Sequence, residues 1–323
     1  MRADEFRVTG HPGEITISFA AHGAAEGGRR ILLSPGLAGA LLHNLIREMP
    51  PTAECHPIGF DLEKRVRELG VDHGREDSVK MVRGALLTDR FLLSLHRDSL
   101  GAGSGDRIRA LCRDIGMPPA GFKLLDSGLK SCDMLHFGFE SGQDAPVLKV
   151  YMEFAEAYRK RLLDHPDTAK SLLHTALKWA PGSDQVSVTR YTAWPLANRA
   201  RIEKLLTGVF GRKRMLARPF VEFLLNLVEG RMPIEGALVM DVVEQGTSRR
   251  SFDLNVYGAG LRVVDVIHEA VAVGVALKLD EARVRTSLAN VAAQSLGHIS
   301  GGLGRDGEEF LTIYSGVREA SDP

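Results

Sequence analysis

The sequence predicts a closed antiparallel β-barrel of about ten strands with helices on its outside. Three observations predict it. First, the segments Lys149-Val-Tyr151, Thr189-Arg190-Tyr191, Asn255-Val-Tyr257 and Thr312-Ile-Tyr314 end alike, and they hold four of the five tyrosines. Second, each segment closes the second arm of a hairpin in which polar and apolar residues alternate. Third, these hairpins are separated by helical stretches, an internal repeat of pattern rather than of identity. Alternation with a period of two puts one set on each face of a sheet. A flat sheet with a wet polar face has no use for matched tyrosines. A closed barrel gives them a polar, aromatic lumen and gives the apolar set to the outer helices.

The elements follow in order. Residues 14–34 read as a hairpin, and 82–97 as another that turns at Thr88-Asp89. Helical patterns occupy 37–48, 61–69 and 106–115. Segment 132–154 is strand, turn, strand, with Gly142, Asp144 and Pro146 supplying the turn. In its second arm Leu148, Val150, Met152 and Phe154 alternate with Lys149, Tyr151 and Glu153. A helix follows over 155–170. The next hairpin, 172–193, turns at Pro181-Gly182-Ser183-Asp184 and leads into helices near 195–209 and 217–230. A third, 237–258, turns at Gln245-Gly246-Thr247 before helices near 262–275 and 280–293, the last with Asp280 as its N-cap. The final hairpin, 296–315, turns at Gly304-Arg305-Asp306-Gly307. Counting both N-terminal hairpins gives one more than a ten-stranded barrel needs. One of those two is therefore misread or lies outside the barrel.

No linker-like shift in composition interrupts the chain, so a single domain over 1–323 is expected. Forty-one basic residues balance forty-one acidic ones, which leaves no electrostatic argument for nucleic acid or a membrane surface. Cys55, Cys112 and Cys132 are few and far apart, without the spacing of a zinc site or a disulfide framework. The N-terminus lacks the apolar core of a signal peptide, and no run is long enough to span a bilayer. A cytoplasmic setting is the expectation. No His-x-His or His-Glu-x-x-His spacing occurs, so no metal site is expected.

The tyrosine segments resemble those of a known group, the soluble aromatic prenyltransferases, whose barrel is built from ααββ repeats. The group includes bacterial aromatic and fungal indole prenyltransferases. Lys149-Val-Tyr151 matches the Lys-x-Tyr of the fungal branch, Asn255-Val-Tyr257 its Gln-x-Tyr with Asn for Gln, and Tyr314 its last tyrosine. Ser187-Val-Thr189-Arg190-Tyr191 falls in the place of an Arg-x-Lys-x-Tyr and keeps the tyrosine alone. The resemblance spans roughly 130–315 and rests on the order of these motifs.

It implies transfer of a prenyl group from an allylic isoprenoid diphosphate to a small aromatic acceptor. Such chemistry needs cations to hold the diphosphate, aromatic faces to shield the allyl cation, and a base for the proton that the ring loses. By that resemblance Tyr151, Tyr191, Tyr257 and Tyr314 form the shield. Lys149 is the first diphosphate contact, with Lys178 and Arg90 as further cations, and Thr189 and Asn255 stand at the matching substrate positions. Glu153, Asp253 and His136 are candidates for the base, with Asp241 and His298 behind them. No Asp-Asp-x-x-Asp motif is present, so a Mg-bridged grip is not indicated. No cofactor is required, although Mg²⁺ carried by the diphosphate is compatible. Two other readings stand beside this one. One is a barrel that binds or converts another hydrophobic molecule. The other is a nucleotide-dependent oxidoreductase, suggested by Gly258-Ala-Gly260 after a strand, which requires a parallel sheet.

Overall fold

The computed structural model describes residues 5–11, 14–20, 32–33, 56–164, 170–210 and 215–320. The predicted helix at 37–48 lies outside them. Near the N-terminus β1 (Glu5–His11), β2 (Glu14–Ala20) and β3 (Leu32–Leu33) form an antiparallel sheet of their own. The predicted hairpin at 14–34 is thus β2 and β3, and neither belongs to the barrel sheet.

The barrel begins at β4 (His73–Val82), a strand the sequence reading missed. The chain turns at Arg83-Gly84, where Gly84 takes the positive φ of 73° that side-chain-bearing residues avoid. It then runs through β5 (Ala85–Leu87) and β6 (Arg90–His96), which pair in succession with the same edge of β4. The predicted turn at Thr88-Asp89 is only a break between β5 and β6. Four hairpins follow: β7 (Met134–Glu140) with β8 (Val147–Glu153), β9 (Ser171–Trp179) with β10 (Ser187–Trp194), β11 (Leu238–Glu244) with β12 (Arg250–Asn255), and β13 (Leu296–Leu303) with β14 (Glu309–Ala320). β14 then pairs antiparallel with β4, from Phe310 opposite Val82 to Ala320 opposite His73, and closes ten strands into a barrel. Every pairing among the described strands is antiparallel, whereas a dinucleotide fold needs a parallel sheet.

Helices cover the outside. They are α1 (Pro57–Arg67), α2 (Ser104–Asp114), α3 (Pro119–Leu129), α4 (Ala155–Asp164), α5 (Arg199–Phe210), α6 (Arg218–Glu229), α7 (Ile267–Ala276) and α8 (Glu281–Ala289). The sequence reading missed α3. Asp280 caps α8 as expected, accepting from the Arg283 amide at 2.7 Å. All of them but α4, which has no buried residue, turn an apolar stripe inward. Leu62, Ile108 and Leu125 meet Leu135, Phe137, Phe139, Leu148 and Val150 on one side of the barrel. Leu205, Phe220, Leu224 and Val284 meet Phe252, Leu254, Ile299 and Ile313 on the other. The strands therefore keep their alternate residues for the lumen. No helix among the described residues is long and apolar enough to cross a membrane.

One glycine is fixed by the approach of β12 to β13. Gly302 in β13 lies at φ 152°, and a Cβ there would run into the Arg250 carbonyl oxygen and Ser251 Cα of the neighbouring strand. Gly302→Ala is expected to destabilise the fold by about 1–3 kcal/mol. Chemical denaturation checks this, and an unchanged midpoint would contradict the tight strand approach.

Candidate active site

Strand register stacks the lumen into layers. Near the hairpin turns, Arg90 is opposite Glu140 and Lys149 is opposite Lys178. Thr312 faces Lys80 in the same region. One step inward, Tyr314 pairs with Ser78, and Tyr151 pairs with His136 and Ala176. Tyr191 is opposite His174, which is also opposite Glu153. The small Ala176 beside Tyr151 leaves room for the tyrosine rings, and Tyr151 and Tyr191 lie 5.7 Å apart between centroids.

Tyr151, Tyr191 and Tyr314 line two cavities, one at each end of the barrel. The cavity at the hairpin-turn end is about 850 Å³, with Lys80, Arg90, Lys149, Lys178, Arg249 and Arg305 in its wall. The other is about 360 Å³ and takes in Glu76, His136, His174, Asp253, Tyr257 and His298. The three tyrosines thus stand between a cationic chamber and one of carboxylates and imidazoles. Burial pushes all three phenols well above their ordinary value, so they stay neutral.

In the cationic chamber the Glu140 carboxylate receives Lys80 at 2.9 Å, Lys149 at 2.5 Å and Arg90 at 3.3 Å. Burial opposes its charge, but these three cations outweigh it and hold the carboxyl well below its usual range. Burial works the other way on the lysines. It pushes Lys149 down to about 8, against the pull of Glu140. Lys178 is pushed well below its ordinary value, by burial first and then by Arg249 and Lys149. Arg90 and Arg249 retain donors without a partner among the described residues: Nε and Nη1 of the first, Nε of the second. Such orphans are costly in a closed interior, and donors of this kind suit an anion.

In the second chamber His298 Nδ1 lies 2.9 Å from Asp253 Oδ1, and Glu76 stands 4.0 Å from Nε2. Burial disfavours the imidazolium, yet the two carboxylates overcome it and raise His298 to about 9. The Tyr257 hydroxyl donates to Glu76 Oε1 at 2.5 Å. His136 Nε2 meets Glu153 Oε2 at 2.9 Å, and Ser94 Oγ lies 2.7 Å from its Nδ1. Burial would raise the Glu153 carboxyl, but the His136 hydrogen bond and the neighbouring imidazoles hold it down at about 2.

The structure thus places Lys149, Lys178 and Arg90 together at one end. It places His136, Asp253, Asn255 and Tyr257 together at the other, with Tyr151, Tyr191 and Tyr314 between. Four placements differ from expectation. Tyr257 is not a strand residue: β12 stops at Asn255, whose Oδ1 accepts from the Tyr257 amide at 3.2 Å and turns the chain. It lines only the second chamber. Thr189 is fully buried and lines neither cavity. Glu153 sits behind His136 rather than in a cavity wall. Asp241 lines neither cavity, whereas its neighbour Met240 lines the second.

Sequence reasoning missed Lys80, Glu140, Arg249, Glu76 and His174. Lys80 and Glu140 each sit on a strand whose lumen face is polar, and that was the only available signal. Cys112 and Cys132 are buried free thiols, pushed up by burial to about 12 and about 11. Both are inert, as the sequence suggests.

No family model matches the sequence, and no curated protein does. Solved structures do match. The NotF prenyltransferase superposes with a TM-score of 0.50 at 14% identity, over 77% of this chain and 81% of its own. AnaPT from Neosartorya fischeri gives 0.50 at 11% identity, over 75% and 78%. At these identities the likeness is one of fold. It agrees with the ten closed antiparallel strands and their outer helices. The chain has the closed ααββ-repeat barrel fold that those structures share.

Proposed function

We propose that this protein transfers a prenyl group from an allylic isoprenoid diphosphate to a small aromatic acceptor. The division of the lumen carries the reading: a chamber rich in buried and half-buried basic groups around Glu140 and Glu244, three neutral tyrosines, then a chamber of carboxylates and imidazoles. Arg90, Lys149, Lys178, Lys80 and Arg249 hold the diphosphate and stabilise the charge that develops as its C–O bond ionises. The allyl cation then faces Tyr151, Tyr191 and Tyr314, each ring face worth about 0.5–2 kcal/mol. The acceptor attacks from the second chamber, and the ring proton passes to a carboxylate there. Asp253, in the wall of that chamber and steadied by His298, is the base this reading assigns. Glu153 is screened by His136 and serves less well. A barrel that merely binds a hydrophobic molecule has no use for Arg90, Lys149 and Lys178 buried in its wall. Glu140 and Glu244 already offset part of this positive charge, so Mg²⁺ carried by the diphosphate is compatible with the site.

Calorimetric titration with dimethylallyl and geranyl diphosphate, with and without Mg²⁺, tests the donor half. Micromolar binding that weakens at least tenfold in Lys149→Ala is expected, and no binding of either donor would sink the reading. The pH dependence has a definite sign. An anion binds the charged form of Lys149, which in the free protein is lost as pH rises through about 8. Donor affinity should fall across that region, and the step should vanish in Lys149→Ala. Lys178, whose charge burial also disfavours, acts in the same direction.

A further inference from the structure

We propose that His136, Glu153 and His174 form a binding site for a divalent first-row transition metal of the Zn²⁺ type, in the wall of the second chamber. The three residues come from the adjacent strands β7, β8 and β9. One ligand atom from each lies within 4.8 Å of the other two. Two imidazoles and a carboxylate are a donor set that holds Zn²⁺ with a coordination position left open.

The surroundings fit an ion. Glu153 Oε2 is hydrogen-bonded to His136 Nε2 at 2.9 Å and stands 3.9 Å from His174 Nδ1, so one carboxylate oxygen faces both rings. His174 Nδ1 is buried and has no hydrogen-bond partner among the described residues. A metal would satisfy that atom at once. Ser94 Oγ at 2.7 Å from His136 Nδ1 supplies the outer contact that fixes a ligating ring and leaves Nε2 for the ion. His136 and His174 pack edge-on to each other at 5.7 Å, and His174 does the same to Tyr191 at 5.7 Å, which limits their rotation. Both histidines line the second chamber, so the open position faces the space given above to the acceptor. There the ion would bind an acceptor hydroxyl and favour its ionised form. That consequence rests on the proposed function, whereas the metal site does not.

The test uses full-length protein without a histidine tag, stripped by a chelator and dialysed. It is titrated with Zn²⁺ by calorimetry and with Co²⁺ by visible ligand-field absorption. One equivalent should bind, with an absorption typical of low coordination number. Glu153→Gln preserves shape and His174→Ala removes a ligand; each should weaken binding at least tenfold in protein that still melts cooperatively. His268→Ala, at an exposed histidine, should change nothing. Absence of a stoichiometric site, or binding indifferent to Glu153→Gln and His174→Ala, would overturn the proposal. Diphosphate binding is measured in the same stripped protein. If the donor binds there and the metal does not, only this inference falls.

Discussion

Arg90→Gln is expected to weaken dimethylallyl diphosphate binding by roughly a hundredfold, since withdrawing one partner from a buried charge contact costs about 3 kcal/mol or more. Arg90 is the most committed cation of the first chamber. It is 5% exposed, its Nη2 reaches Glu140, and among the described residues Nε and Nη1 have no hydrogen-bond partner. Its guanidinium stands 6.0 Å from the centroid of the Tyr314 ring, so it lies where the cationic chamber meets the tyrosines. A guanidinium cannot shed its proton, unlike the neighbouring lysines. In the variant Glu140 still has Lys80 and Lys149, so the site does not gain a naked buried carboxylate. The fold should therefore persist while the affinity drops. Calorimetry read beside a melting curve separates the two. Unchanged affinity in a folded variant would remove Arg90 from the donor site.

Phe252→Ala is expected to destabilise the protein by about 3–5 kcal/mol, the usual cost of emptying a large aromatic from a core. Phe252 is 1% exposed and stacks edge-on to Phe210 of α5 at 5.7 Å. Its chain neighbours Ser251 and Asp253 point the other way, and Asp253 lines the second chamber. One strand thus ties the outer core to the site. Loss of the ring loosens the anchor that holds Asp253 against His298. Urea unfolding measures the cost, and a loss below about 1 kcal/mol would mean that the helix layer does not brace β12.

The regular half of this fold was legible because its two faces differ. In β8, Leu148, Val150 and Met152 alternate with Lys149, Tyr151 and Glu153, and the structure puts those sets on the outer core and the lumen side. β4 gave no such signal. Its first half, His73-Gly-Arg-Glu-Asp77, is polar on both faces, because Arg75 pairs outside with Glu63 of α1 while Glu76 turns inward to Tyr257. Period-two alternation disappears when both faces are polar. Without β4 the closure against β14 is invisible, and with it the approach of Lys80 to Glu140, sixty positions away in the chain. The grouping of His136, Glu153 and His174 is hidden for the same reason, since it depends on the register of three strands and not on local spacing. Tyr257 shows the opposite failure. Its motif fits the repeat, but Asn255 ends the strand before it.

The most direct test of the central claim is turnover. The protein is incubated with dimethylallyl diphosphate and a panel of indoles and phenols, and products are followed by mass spectrometry together with diphosphate release. Prenyl transfer predicts an acceptor that gains one five-carbon unit, with one diphosphate released per product and both signals lost in Arg90→Gln. Diphosphate that binds at the cationic end but is never released, with any acceptor in the second chamber, would contradict it and leave a barrel that holds its ligand without reacting it.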